Sequence, residues 1–399
     1  MANTLKFGLG QWATKKGSTL AYNDENGNFK PLPFTFDRST SATRVNKEGL
    51  IEVVSNNEPR IDFLNDSNGA LLLEPSRTNL VPYSEDFSNA AWNKSFIGIG
   101  SVPVVTANQG LAPDGTFTAD RIVLNLNGGV TSGDGSFLSE TVTVSSGATV
   151  SLSIYLKSNT GLIQNLIVWE AFTGASTSCV VTNEWQRFNV IATVPSTSSG
   201  LNFGLRNAFG VTVDDTADIL VWGAQLEQGS YATSYIPTQG SIGTRVAETC
   251  SDAGNDQVFN DSEGVLFAEI SALTDGGTTR RLSISDGSTS NRLVLSYNST
   301  SNQIQSFLAN PSVQFNFYHT LNNSVEFNKI AVKYKQNDFA LWINGVEVAT
   351  DTNGTISNGL NTLNFDEGSG ASDFYGNTKQ IKYFNQALTD AELAALTKI

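Results

Sequence analysis

The 399-residue sequence is poor in the side chains on which much enzyme and metal chemistry depends, with one histidine, His319, one methionine, and two cysteines, Cys179 and Cys250. Structural zinc sites take three or four ligands from His and Cys, and nucleophilic triads usually need a His base. A lone His319 argues against both. The two cysteines are compatible with one disulfide or with two separate small buried thiols. Positive charge is also scarce: 24 Lys and Arg face 38 Asp and Glu, for a formal net charge of -14, with no Lys/Arg run. Nucleic-acid binders need a cationic footprint to displace counterions from phosphate, so nucleic acid is not an expected partner. No apolar run approaches the ~18 residues that a membrane span needs, and the N-terminus has no apolar stretch of signal-peptide length. Neither membrane insertion nor secretion by a standard signal is expected.

What the sequence does have is Gly (35 residues), with abundant Ser, Thr and Asn, and period-two alternation of β-branched residues. Residues 140–144 (ETVTV), 149–156 (TVSLSIYL) and 339–348 (FALWINGVEV) show it clearly. Such short alternating runs between turn residues are antiparallel strands, and the expected fold class is all-β, two β-sandwiches each burying one face of each sheet. Asn344-Gly345 within the last run predicts a tight hairpin. One short C-terminal helix is expected, from the capping-box pattern Thr389-Asp390-Ala391-Glu392 ahead of Leu393 and Leu396. Residues 1–82 are irregular and rich in Pro, Asn and Phe, residues 83–238 carry strands between Gly/Ser turns, 239–258 read as a linker, and 259–399 as a second sandwich.

The stretches 36–51 (FDRSTSATRVNKEGLI), 58–63 (EPRIDF) and 69–80 (GALLLEPSRTNL) resemble a block recurrent in tailed-bacteriophage structural proteins. Residues 83–92 (YSEDFSNAAW), 222–227 (WGAQLE) and 233–238 (TSYIPT) are similar to the entry and closing patterns of the carbohydrate-binding-module-like jelly roll of those proteins. Residues 327–334 (FNKIAVKY), 341–345 (LWING) and 380–393 resemble laminin-G-like or concanavalin-A-like sandwiches. The resemblance covers nearly the whole chain. It implies a fibre, tail or head appendage of a virion, made in the bacterial host cytoplasm and displayed on the particle surface, with other virion proteins and a host-surface glycan as partners. A structural decoration or adaptor protein is the alternative, and a glycan depolymerase the catalytic competitor.

Several residues are candidates within that reading. Phe7, Trp12, Phe29, Phe34 and Phe36 have no period able to close a private core, and so are expected to form an oligomer or virion interface. The resemblance makes that oligomer a trimer. Trp169, Tyr318 and His319 are candidate carbohydrate contacts, because sugar-binding sandwiches stack rings on exposed aromatics and hold hydroxyls with polar side chains. Against this stand the core alternatives: Trp169 shares its strand face with Ile167, and period two puts Phe315, Phe317 and His319 on one side with Tyr318 on the other. Trp185, Trp222 and Trp342 read as packing residues. No cofactor is expected. Calcium is compatible with loop residues Asp252, Asn255, Asp256, Asp351, Asn353 and Asp373, though none forms an EF-hand pattern. Catalysis is not expected, since the paired carboxylates of a glycosidase strand are missing: Glu269 stands alone, and Asp366 and Glu367 lie in a Gly/Ser loop.

Overall fold

A computed structural model describes residues 5–8, 12–15, 19–23, 29–356 and 358–399, with 13–15, 19–23 and 29–33 described by their backbone only. It is all-β apart from the helix Asp390–Thr397. The chain forms two units, one made of Met1–Gly49, Val53–Pro75 and Val246–Ile399, the other of Leu50–Glu52 and Ser76–Arg245.

The first unit is a sandwich of two antiparallel sheets. One sheet runs in the order Val346–Asp351, Phe339–Ile343, Asn328–Lys335, Glu263–Ala272, Gly376–Phe384, Ala70–Leu73, Arg60–Asp62, and Leu5–Gly8 also pairs with Gly376–Phe384. The other is five-stranded, in the order Ser312–Thr320, Gln303–Asn310, Arg292–Tyr297, Arg280–Ser285, Thr362–Asn364. The expected hairpin is present, Ile343 pairing with Val346 across Asn344 (φ 51°) and Gly345 (φ 86°), the left-handed pair that a two-residue turn needs. So is the capping box, in which the Glu392 amide donates to the Thr389 hydroxyl and the Thr389 amide to the Glu392 carboxylate at 2.9 Å.

The division at residue 82 and the free linker at 239–258 are corrected by this topology. Strands of the N-terminal stretch complete the sheet that the C-terminal strands begin, and Thr249–Ser251, from the expected linker, pairs with Phe29–Asp37. Phe7, Phe34 and Phe36 are therefore core residues, each about 1% exposed, with the Phe7 and Phe34 rings 4.6 Å apart and Phe34 5.1 Å from Phe365. Trp12 is half-buried against the same core, and the Phe29 side chain lies outside the described residues. Each short strand carries only one or two inward residues, too few for a period, because the rest of the core comes from Cys250 to Tyr383, far later in the chain. Of the residues on which the interface expectation rested, Phe7, Phe34 and Phe36 are thus inside this unit.

Beneath the N-terminal block lies a buried ionic cluster. Arg38, Arg60, Glu74 and Glu248 are all within 3% of full burial. Glu248 accepts from Arg38 Nη1 at 2.6 Å, from Arg60 Nε at 2.8 Å and from the Glu74 amide at 2.8 Å, and pairs again with Arg60 Nη2. Arg60 Nη1 donates in turn to Glu74 Oε2 at 2.8 Å.

The second unit is also a sandwich. Its sheets run Asn93–Ile97, Gly135–Thr143, Ser198–Arg206, Gln164–Glu170, Ser176–Val181, and Val104–Gly110, Ala119–Asn125, Thr216–Gln228, Thr149–Ser158, Gln186–Thr193. Leu138, Leu166, Val168, Phe203, Leu152, Ile154 and Val221 alternate inward to fill the space between them. Cys179, here, and Cys250, in the other unit, are both free and buried, and burial pushes the Cys179 thiol up to about 12.

Two inward carboxylates flank Leu201 in this unit and are treated differently. Glu170 accepts from the amides of Phe172, Thr173 and Gly200, closing the loop after its own strand. Glu140 is only 8% exposed, and burial alone moves its carboxyl from 4.5 to about 7. The unfolded chain ionises first as pH rises, so stability of this unit falls between pH ~4.5 and ~7 and stays lower above. Glu140→Gln is expected to flatten that part of the profile, raising stability by about 1–2 kcal/mol at pH 8 and changing little at pH 4. Thermal unfolding of both proteins across that range checks it.

Candidate functional site

In the five-stranded sheet of the first unit, alternation sends Leu293, Leu295, Ile304, Leu308, Phe315 and Phe317 into the core. The residues between them face the other way and line up across strands. Arg281, Ser296, Gln305 and Tyr318 form one row; Asn364, Ser283, Val294, Phe307 and Asn316 form the next. At ~4.8 Å per strand, the row from Arg281 to Tyr318 is about 14 Å long, the scale of a short oligosaccharide.

One end of this face is open and polar. Tyr318 is 50% exposed, and its hydroxyl accepts from Gln305 Nε2 at 2.8 Å and from Asn316 Nδ2 at 3.3 Å, while Gln305 Nε2 also donates to Asn316 Oδ1 at 2.9 Å. The phenol and two amides are thereby ordered before any ligand arrives, which lowers the entropic cost of binding. The other end is cationic. The Arg281 and Arg292 guanidiniums lie 5.9 and 5.2 Å from the Phe307 ring centroid. Both pair with Glu367, whose carboxylate contacts Arg281 Nη1 and stands 3.6 Å from Arg292 Nη1, and Arg292 Nη1 also donates to the Glu367 carbonyl at 2.6 Å. Burial lowers the Arg292 pKa, Glu367 opposes that shift, and the like charge of Arg281 adds to it.

His319 does not join Tyr318 in one platform. It pairs with Ile304 on the inward side of the strand, half-buried, beside the stacked Phe315 and Phe317 rings 4.6 Å apart. Trp169, in the second unit, is 1% exposed, with the Phe137 ring 5.1 Å away and Arg206 over it at 6.0 Å. It offers no stacking surface in this conformation. Trp222 and Trp342 are buried, and Trp185 donates its indole N–H to the Leu111 carbonyl at 3.0 Å. Sequence pattern alone does not single out Arg281, Arg292, Gln305, Phe307 or Asn316. Their signal is the outward half of each strand's alternation, which shows only once the neighbouring strands are known.

The second unit holds a polar cavity of about 480 Å³ lined by Tyr83, Glu85, Asp86, Asn108, Asp120 and Gln239 among others. Its carboxylates are already engaged: Asp120 accepts from the Phe87 and Asn108 amides at 2.8 and 2.9 Å, Glu85 from the Tyr235 hydroxyl at 2.7 Å, and Asp86 from the Ser88 hydroxyl at 2.6 Å. Burial raises the Glu85 and Asp120 pKa values. Among the described residues no group of three or more His, Cys, Asp and Glu side chains is arranged to hold a metal ion. Of the residues considered for calcium, Asn255 and Asp351 accept amides two positions on, as turn residues do, and Asp373 accepts from Tyr375. Glu269 accepts from Gln380 Nε2 at 2.6 Å, and Asp366 accepts the Gly368 amide of its own loop.

The sequence matches no protein-family model, and no curated protein matches it. Among solved structures, the chain is similar to the CBM40 of the Ruminococcus gnavus IT-sialidase bound to alpha2,3 sialyllactose, at 19% identity and TM-score 0.32, covering 36% of this chain and 86% of that one. It is also similar to the CBM22-1-CBM22-2 tandem of Paenibacillus barcinonensis Xyn10C, at 11% identity and TM-score 0.26, over 77% and 98% of the two chains. Domains LG4-5 of the mouse laminin alpha1 chain match at 11% identity and TM-score 0.25, over 73% and 96%. Scores this low decide neither family nor ligand.

Proposed function

We propose that the chain is a non-enzymatic glycan-binding component of a phage virion appendage, and that the outward face around Tyr318 is its sugar-contact surface. The observation that carries the binding reading is the half-exposed Tyr318 held by Gln305 and Asn316 on a five-stranded sheet. An aromatic face beside fixed amide donors and acceptors suits a pyranose, which presents an apolar C–H face and equatorial hydroxyls at once. The virion assignment is supported by the resemblance of residues 36–80 to phage structural proteins. Modest affinity at each copy would suffice on a particle that carries several.

Tyr318→Ala is expected to weaken binding on a glycan array roughly tenfold, the scale of one lost aromatic contact, with an unchanged melting temperature. Undiminished binding, or a large fall in melting temperature, would remove this face from the reading. Release of reducing sugar by the purified chain would overturn its non-enzymatic part, and labelling of intact particles tests the virion assignment. The adaptor reading has its own support in the exposed Phe96, Ile99, Phe117 and Val130 of the second unit, apolar surface of the kind that docks on other subunits. Binding to virion subunits with no glycan bound would favour it.

A further inference from the structure

The cationic end of the same face carries more positive charge than its own partners neutralise. Two guanidiniums, Arg281 and Arg292, share the single carboxylate of Glu367, and among the described residues no other acidic side chain pairs with either. The pair is sheltered, with side-chain exposures of 21% and 12%, so solvent screens its charge less than at an open surface. It is also incompletely satisfied: the Nε–H of each arginine is buried without an acceptor among the described residues. Five N–H donors per guanidinium exceed what one carboxylate and one carbonyl can accept. In a chain of net charge -14, two sheltered guanidiniums meet on one carboxylate here.

Glu367 itself shows what fits there. It is a planar carboxylate between two guanidinium forks, supplied by the turn 366–372, in which Gly368 and Gly370 adopt positive φ and Ser369, Gly370 and Ala371 are exposed. Arg281 stands in one cross-strand row with Gln305 and Tyr318, so a single oligosaccharide can lie across both ends of the face.

We propose that Arg281 and Arg292 form a carboxylate subsite of the glycan face, that the ligand is an acidic saccharide, and that Glu367 occupies the subsite until the ligand's carboxylate replaces it. This rests on the glycan-binding reading above. Hydroxyls of the saccharide meet Tyr318, Gln305 and Asn316, and its carboxylate exchanges with that of Glu367 on the two arginines. Arg is suited to the role because its fork binds carboxylate in the plane, through two parallel N–H groups. An internal carboxylate competes at high effective concentration, so it sets a threshold that an acidic ligand must overcome, while the two arginines supply the preference for charged over neutral sugars.

The test uses the full chain and a panel of oligosaccharides carrying uronic or ulosonic acids, each paired with its methyl ester, which keeps the sugar and removes the charge. The wild type is expected to prefer the free acids. Glu367→Gln is expected to bind the acids roughly tenfold more tightly and the esters no better, since only the charged competitor has been removed. Arg292→Gln is expected to bring the affinity for each acid down to that of its ester, and added salt to weaken binding of acids more than of esters. Melting temperatures of all three proteins show whether the turn and sheet persist, and the acid-against-ester comparison on the wild type stands even if a variant fails to fold. Equal binding of acid and ester by the wild type, lost on Tyr318→Ala, overturns the carboxylate subsite and leaves the glycan-binding reading standing. Failure of every acid and ester, with neutral glycans also unbound, overturns both.

Discussion

Replacing Glu248 with Ala is expected to lower the stability of the first unit by about 3–5 kcal/mol, the cost of removing one partner from a buried ion pair. Its two oxygens take four donors: Arg38 Nη1, Arg60 Nε, Arg60 Nη2 and the Glu74 amide. Without them two guanidiniums that water cannot reach face each other with Glu74 as the carboxylate that remains in the cluster. Like charges at low dielectric repel strongly, and desolvation has already been incurred, so the loss exceeds what any one hydrogen bond is worth. The Glu248→Gln variant keeps the shape and one acceptor oxygen, and should lose less, about 2–3 kcal/mol. Hydrogen exchange along Glu263–Ala272 of the full chain reads this unit separately from the other. A loss under about 1 kcal/mol would mean that the arginines reach water when the carboxylate is gone.

The same cluster explains what the sequence reading could not see. Arg38, Arg60 and Glu74 stand within the N-terminal block, whereas Glu248 follows Glu74 by 174 residues. Nothing local marks three charged residues as buried, because charges are ordinarily on the surface and burial becomes tolerable only with all partners assembled. Phe7, Phe34 and Phe36 were opaque for a related reason. A residue's burial depends on the strand beside it, and Leu5–Gly8 pairs with Gly376–Phe384 at the far end of the chain. Apolar residues without a period imply an interface only where their partners lie in another molecule, and here those of Phe7, Phe34 and Phe36 lie in the same one. By contrast, the Asn344-Gly345 hairpin and the Thr389 capping box were legible, since backbone sterics and i to i+3 hydrogen bonds need no distant partner.

The candidate face was legible by halves. Period two within Phe315–His319 separates Tyr318 from its neighbours, and the structure places it outward with half its surface open. That Gln305, Asn316 and Tyr318 meet requires the hairpin register between Gln303–Asn310 and Ser312–Thr320, including its shift between Leu308 and Ala309. Arg281 and Glu367 are separated by 86 residues, and only the return of the chain after Thr362–Asn364 brings them together. Side chains that make a face from different strands leave no spacing in the sequence to find.

Trp169→Ala is expected to destabilise the second unit by about 3–5 kcal/mol, which would mark this tryptophan as packing and not as a sugar platform. Leu166 and Val168 point between the sheets, so Trp169 and Ile167 stand on the opposite face, where a binding residue would also stand. Exposure decides between the two roles. Trp169 retains 1% of its surface, its ring meets the edge of Phe137 at 5.1 Å, and the Arg206 guanidinium sits over it. A sugar ring can stack only on an open face, and opening this one means removing Phe137 or Arg206 from it. Truncation to Ala strips Phe137 of its partner and leaves Arg206 without the ring beneath it, so the loss combines transfer, cavity and cation–π contributions. Trp169→Phe keeps a ring for both neighbours and should lose less, about 1–2 kcal/mol. Unfolding followed by hydrogen exchange along Gln164–Glu170, beside glycan binding by the same proteins, separates the outcomes. Weakened glycan binding by Trp169→Ala with unchanged stability would return Trp169 to the binding surface; the geometry calls for the reverse, a large stability loss in the second unit while the Tyr318 face of the first unit binds as before.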